Sequence, residues 1–470
     1  MRIGNPGNNA VGRIGASLRA VPVQEGLPET LVQSRLRRTF RVEFQGPNFQ
    51  RSGAMTIACP QRPHQTASRT AGLERLAAFL PHAGSDYARR RNFDLGWQDR
   101  SNVSMMSPYL RYRLVSETEV VKAVLERHSA QDGDKFIQEV FWRGYFKGWL
   151  EARPTVWRAY QADVRRLLDA LSEDVALATR WERAVEGRTG IECFDAWAQE
   201  LTETGYLHNH ARMWFASIWI FTLGLPWQLG ADFFLRHLVD GDLASNTLSW
   251  RWVGGLHTPG KTYLARPENI EKFTGGRFVN VTGLADAAPA LTEARPHDPQ
   301  PLKGAFEHAP EGRCVLLITE EDCSPEAFME TLEPIEAVAV ALPAARSPMP
   351  VAKPVMQFAG EAVDDAARRA KAIFGCPVNI VDEPDRLAEV LAETCRRRAV
   401  DRVVTAYAPI GPVARVIGLT SQRLAAASIE LCQVRRTYDG AVWPHASRGF
   451  FKLKAKIPHI LDQLGIERTL

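Results

Sequence analysis

No run of apolar residues in this sequence is long enough to cross a bilayer. The nearest, MWFASIWIFTLGLPW, is broken by Gly224 and Pro226 and reads as a buried helix. The opening residues lack the apolar stretch of a secretory signal. Cysteine is sparse and without pattern. Seven residues are scattered from Cys59 to Cys432 with no C-x-x-C, which argues against a disulfide framework and a zinc ribbon and for a reducing compartment. No G-x-G-x-x-G follows the first candidate strand, so a dinucleotide fingerprint is absent. The expectation is a cytoplasmic protein with no membrane contact.

At 470 residues the chain is too long for one ordinary core, and two domains joined by linkers are expected. Apolar content of 45% and charged content of 24% are those of a globular protein. The net charge of +4 is unevenly spread. The first 280 residues hold 36 Lys and Arg against 29 Asp and Glu, and the remainder carries a balance of −3. A polyanionic partner would prefer the first part, although an ordinary enzyme can show the same bias. Tryptophan is more lopsided, with eleven of twelve falling between Trp97 and Trp252. A buried indole needs a partner for its N–H, so packing alone rarely recruits so many. An aromatic ligand or redox traffic would use them; a large helical core is the plainer reading.

Residues 1–54 show no sustained periodicity and read as a disordered extension. From TAGLERLAAFLPHAG onward the pattern is helical, with Leu73, Leu76, Phe79 and Leu80 at helical spacing. SETEVVKAVLERH, KFIQEVFWRGYFKGWLEAR, YQADVRRLLDALSED, CFDAWAQELTET and NHARMWFASIWIFTLG continue it. An all-α domain is therefore expected over 55–283. Residues 284–312 are rich in Pro and Ala and read as a linker. Over 313–470 the short runs CVLLIT, AVAVAL, PVNIVD, RVVTAY and ELCQVR alternate with amphipathic helices. That alternation predicts a smaller Rossmann-like α/β domain with a doubly wound, mostly parallel sheet.

Inside the helical region, HLVDGDLASNTLSWRW places two acids, an asparagine and two tryptophans within sixteen positions. A calcium loop starting at Asp240 would need an acid at its twelfth position, which is Arg251, so no metal is expected. DGDLASNTLSWRW, TGYLHNHARM, FIQEVFWR and SMMSPYLRYRL stand in the order and spacing of four motifs of the photolyase/cryptochrome flavoproteins, and residues 70–275 resemble that family's FAD domain. The second domain resembles the family's antenna-binding α/β domain, which in the family precedes the FAD domain rather than following it. The closing RTYDGAVWPHASRGFFKLKAKIP looks like the segment that normally leads out of that antenna domain.

The resemblance implies FAD, a second antenna chromophore of unspecified identity, and damaged DNA as the partner of a monomer. It implies a deoxyribodipyrimidine photo-lyase, in which excited FADH⁻ donates an electron to a cyclobutane pyrimidine dimer that then splits. The alternative is a cryptochrome-like blue-light photoreceptor without repair. By position, Tyr87, Ser104, Met106, Ser107, Arg143, Arg212, Asp240, Asp242 and Asn246 would hold the cofactor. Ser107 before Pro108 also reads as an ordinary N-cap, and Arg212 with Asp240 as a structural ion pair. Arg91 matches a basic loop position. Asn246 would sit near the flavin N5, and Asp242 at the polar edge of the ring. Trp250 and Trp227 match the inner and middle members of the family's electron-hopping chain. The outer position falls near Asp174, leaving Trp181 or Trp219 as substitutes. Glu139, Trp142, Asn209, Met213 and Trp252 match positions that contact the dimer; Glu139 would be the acid and the tryptophans the stacking faces. The family's (6-4) branch carries paired histidines where Asn209 and Met213 stand here, and Phe136 replaces a tryptophan of some relatives.

Overall fold

Ser68 begins the first helix by accepting a hydrogen bond from Ala71 N, and from there to residue 273 the assigned elements are helices. The computed structural model describes residues 65–293, 297–302 and 304–467; the extension expected at 1–54 lies outside them. Helix α1 (Arg69–Phe79) buries Gly72, Leu76 and Phe79, whereas Leu73 is exposed. The spacing had placed Leu73 on the core side. The face is turned because Gly72 lies against Tyr109 and Val115, where an added Cβ would come within 2.9 Å of either.

Next come α2 (Ser85–Arg90), α3 (Ser107–Arg111) and α4 (Glu117–Leu125), the last opened by a reciprocal capping box between Ser116 and Glu119. Helix α5 (Ala130–Glu151) is capped by Ser129. Helix α6 (Pro154–Glu173) starts at Pro154, earlier than the pattern implied, since a proline in the first turn forfeits no helical hydrogen bond. Asp174 caps α7 (Val175–Val185) through Ala176 N and Leu177 N, which accounts for a carboxylate where an aromatic was sought. Helix α8 (Glu192–Thr204) stops at Gly205, whose φ of 68° suits glycine. Helix α9 (Asn209–Ser217) widens into a π turn over Ile218–Thr222, and α10 (Trp227–His237), α11 (Leu243–Val253) and α12 (Pro267–Phe273) follow. No described helix is both long and apolar enough to span a membrane.

The remainder is a five-stranded parallel sheet in the order β3-β2-β1-β4-β5. Its strands are β1 (Arg313–Thr319), β2 (Glu333–Val340), β3 (Val378–Val381), β4 (Arg402–Ala406) and β5 (Glu430–Val434). The crossing helices are α13 (Lys353–Phe374), α14 (Leu387–Arg398) and α15 (Pro412–Ala425). The period of two is visible in β1. Leu316 and Ile318 join the core that holds α13 and the helical part, while Val315 and Leu317 join a second core under α14 and α15. Both faces are covered, so the strand reads as an unbroken apolar run. Three short helices, α16 (Thr437–Val442), α17 (Phe450–Lys454) and α18 (Ile457–Gln463), close the chain, and α16 and α17 pack on α5.

The described residues of 284–312 form no helix or named strand, yet they are tied down. Leu291 N donates to Gly254 O, Gln300 N to Ala152 O, and Phe306 bridges to β5 beside Val434. Helices and sheet also share a buried ionic seam. Arg113 donates to both oxygens of Asp439 at 2.7 Å, and Arg436 grips Asp322 at 2.6 and 2.7 Å.

Candidate functional site

Helices α2, α5, α9 and α11, with the loops before α3 and α11, enclose a cavity of about 700 Å³. Its floor answers why acids crowd the tryptophans in DGDLASNTLSWRW. Asp240 accepts from Arg212 Nη2 through both oxygens, at 3.0 and 2.8 Å. Arg212 Nε meanwhile donates to Leu207 O, and the guanidinium lies over the Tyr206 ring. Asp242 caps α11 by accepting from Ser245 N at 2.9 Å, and its other oxygen accepts from Arg143 at 3.1 Å. Lys147, one helical turn beyond Arg143, brings its ammonium within 3.4 Å of the same carboxylate. Burial works to raise the Asp242 carboxyl, but Arg143, Lys147 and Arg111 outweigh it and hold it well below the usual carboxylate range. Both acids are thus engaged by cations of the protein itself.

Among the described residues, no group of three or more His, Cys, Asp or Glu side chains could hold a metal ion.

Asn246, one turn into α11, donates from Nδ2 to Ala231 O at 2.8 Å and lines the cavity. Ser104, Met106 and Ser107 line it from the loop before α3, where Met105 has a φ of 56°. Ser107 is the first residue of α3 rather than its cap: Met106 holds the cap position and no side chain caps the helix. The dipeptide Ser-Pro suggested otherwise because proline suits either of the first two helical positions.

The expected dimer contacts Glu139, Trp142, Asn209, Met213 and Trp252 all line this one cavity, together with Tyr87. Two partners were missed. Glu139 is ion-paired with Arg91, which lies over the Tyr87 ring. Trp142 is stacked on Phe450 of α17, with ring centres 3.7 Å apart and planes 12° apart. Neither had a signal in the sequence, since each joins distant segments. Lys147 did have one: it follows Arg143 by four positions and shares its helical face.

His208 caps α9, accepting from His210 N, and its other nitrogen donates to Arg91 O. Burial lowers its pKa to about 4, so it stays neutral. His257 also faces the cavity, 3.1 Å from the Tyr145 hydroxyl, and burial lowers it to about 4.

Trp250 is buried at the cavity wall, and among the described residues its Nε1 finds no hydrogen-bond partner. Its ring meets Trp219 edge-on at 6.1 Å, because Gly230 leaves no Cβ between the two. Trp227 does not line the cavity. It packs 5.7 Å from Tyr160, which stacks at 5.2 Å on Trp157. Trp181 is buried on α7 and does not line the cavity.

Residues 136–279 match the family model described as the FAD binding domain of DNA photolyase. The deoxyribodipyrimidine photo-lyase of Streptomyces griseus is 36% identical over 245 residues, covering 49% of this chain and 52% of that protein. The enzyme of the same name from Escherichia coli is 26% identical over 251 residues, covering 51% and 50%. A bacterial class III photolyase of known structure from Agrobacterium tumefaciens shares 28% identity over 44% of this chain and 43% of its own, with a TM-score of 0.37. The chain spans about half the length of the relatives it matches. Over its helical part, this chain is therefore similar to the FAD-binding domain of the DNA photolyases.

Proposed function

We propose that the protein is a light-driven repair enzyme for cyclobutane pyrimidine dimers in DNA, with FAD in the cavity of the helical part. The observation that carries this reading is that one cavity is lined both by Arg143, Arg212, Asp242 and Asn246 and by Glu139, Trp142, Asn209, Met213 and Trp252. Its volume lies within the range of roughly 300–1,000 Å³ usual for small-molecule and cofactor sites. The residues also suit a flavin. Among the described residues Trp250 Nε1 and Arg143 Nε make no hydrogen bond, although the latter stands 3.7 Å from Glu117, and the guanidiniums of Arg143 and Arg212 offer N–H groups to a diphosphate or to the polar edge of the ring.

When bound and reduced, the flavin would supply the photoexcited electron that splits the dimer. The chain's own residues do the rest. Asn246, its nitrogen committed to Ala231, would have its oxygen free to accept a hydrogen bond from the cofactor's N5 edge. Asp242 and Asp240 keep Arg143 and Arg212 in place. Tyr87, Ser104, Met106 and Ser107 line the side on which the rest of the cofactor would lie. A flipped dimer would meet Trp142 and Trp252 as apolar faces, Met213 as filler, and Asn209 and Glu139 as polar partners for the base edges. Glu139 would exchange Arg91 for the substrate.

In this reading 55–283 is the FAD domain and 284–312 a linker. The sheet region, 313–470, is the antenna-type domain placed after it, which would hold any second chromophore. The protein would act as a monomer in the cytoplasm, in keeping with the free cysteines of the described region. The test is dimer reversal under blue light by the pre-reduced, full-length protein, on single- and double-stranded DNA. Restored pyrimidines support the reading. A yellow protein that restores none is a photoreceptor of the cryptochrome type.

A further inference from the structure

Between Asp439 and Asp462 the chain carries Arg448, Lys452, Lys454 and Lys456 and no acid. This stretch includes α17, and its apolar residues follow two directions. Phe450, Leu453 and Ile457 are buried at helical spacing. Phe451 points the other way and is 78% exposed, more than any other aromatic side chain among the described residues. Single exposed apolar residues are common and need no purpose. This one is placed unusually. Its neighbour Phe450 is the ring stacked on Trp142 at the cavity wall, and Phe451 stands 6.3 Å from Phe450. Lys454 is held 3.6 Å from Asp134 of α5, which fixes the segment there. Arg448, Lys452 and Lys456 are exposed, and among the described residues none of them meets an acid within 4 Å.

A projecting flat ring flanked by unpaired cations, continuous with a cavity wall, has the chemistry of a strand-binding surface. Cations take phosphates, and an aromatic face takes a base of any sequence. We propose that residues 448–456 form a shelf at the cavity mouth, where Phe451 stacks on a base beside the extruded pair while Arg448, Lys452 and Lys456 take neighbouring phosphates. The proposal rests on the reading of the cavity as a DNA-lesion site. It adds a contact supplied by the segment that follows the sheet in the chain.

The experiment uses the full-length protein and an oligonucleotide with one thymine dimer and 2-aminopurine next to it. Binding is followed by anisotropy and stacking by quenching of the 2-aminopurine. Phe451→Ala should weaken binding on the order of tenfold and relieve the quenching, whereas Phe451→Trp should keep both. Lys452→Ala with Lys456→Ala should reduce the slope of log affinity against log salt by roughly 1.5 to 2, which Phe451→Ala should not do. Because Phe451 is exposed, melting and flavin content should match the wild type. If the wild type binds the lesion and Phe451→Ala binds and quenches equally well, the shelf is wrong and the cavity reading stands. If the wild type shows no affinity for the lesion, the cavity reading falls and takes the shelf with it. A dimer in sedimentation that Phe451→Ala converts to monomer would assign the surface to a second copy of the chain and overturn the proposal.

Discussion

Arg111 at the end of α3 donates to Glu321, beyond β1, at 2.8 Å, and both side chains are largely out of water. The same carboxylate stands 3.5 Å from Lys147, whose ammonium also faces Asp242. The acid that caps α11 at the cavity is therefore steadied by a residue of the sheet region. Removing one partner of such a buried pair costs about 3–5 kcal/mol, because the other charge is left uncompensated.

Glu321→Ala should accordingly lower the free energy of unfolding by several kcal/mol. A chain ended at residue 280 would leave Arg111, Arg113 and Lys147 without Glu321, Asp322 and Asp439. It should fail to fold or to retain flavin. Denaturant unfolding of the variant, and the flavin content of the shortened chain, decide the matter. A shortened chain that is stable and yellow would show the seam to be dispensable.

Glu139→Gln should separate repair from stability. Arg91 and Glu139 are both about a third exposed, and an ion pair of that kind contributes at most about 1 kcal/mol. Against a buried base the same carboxylate gives a charge-assisted hydrogen bond, worth roughly 1.5–3 kcal/mol. Dimer reversal per absorbed photon should fall severalfold or more, while melting and flavin content hold. Equal repair by wild type and variant would remove Glu139 from the substrate contacts.

The ring of Trp250 meets that of Trp219 at 6.1 Å, and a separate row of rings runs through Trp227, Tyr160 and Trp157. Trp250→Phe should slow flavin photoreduction markedly. Trp219→Phe should slow it nearly as much, because Trp219 is in ring contact with Trp250, Trp227→Phe should slow it less, and the two together should match Trp250→Phe. Stopped illumination with absorbance detection ranks the four variants. If Trp227→Phe alone matches Trp250→Phe, Trp219 is core and nothing more.

Burial lowers His208 and His257 to about 4 and His237 to about 3, from an ordinary 6.5. Folded-state values below the unfolded ones mean that this stability is present above pH 6.5 and is lost as pH falls toward 4. Glu200 runs the other way. Burial raises it from 4.5 to about 7, so its contribution is present below pH 4.5 and lost as pH rises through 7. Near pH 5.5 unfolding should take up three protons at the histidines and release one at Glu200, a net uptake of about two. Unfolding free energies measured between pH 4.5 and 6.5 should decrease as pH is lowered, by on the order of 2 kcal/mol per pH unit. A flat profile would show that these histidines are charged in the folded protein.

The helices and strands were legible because the forces that make them act within a few residues. The box of Ser116 and Glu119, the cap at Asp242, the stop at Gly205 and the even apolar run of β1 are all local. The same holds for the residues that DGDLASNTLSWRW and its companion motifs bring to one cavity, since helical spacing alone puts Asp242, Asn246 and Trp250 on neighbouring turns. What the tertiary structure decided are the pairings between segments far apart in the chain. Arg111 and Glu321 are 210 residues apart, and Arg91 finds Glu139 across 48. Trp142 meets Phe450, and Trp250 meets Trp219 edge-on. No short-range pattern encodes such contacts, because each depends on where loops return the chain and on which small residue, such as Gly230 or Gly72, lets two elements approach. The chemistry available to the cavity is written in single helices, and the charges that hold it in place are set only when the sheet closes against them.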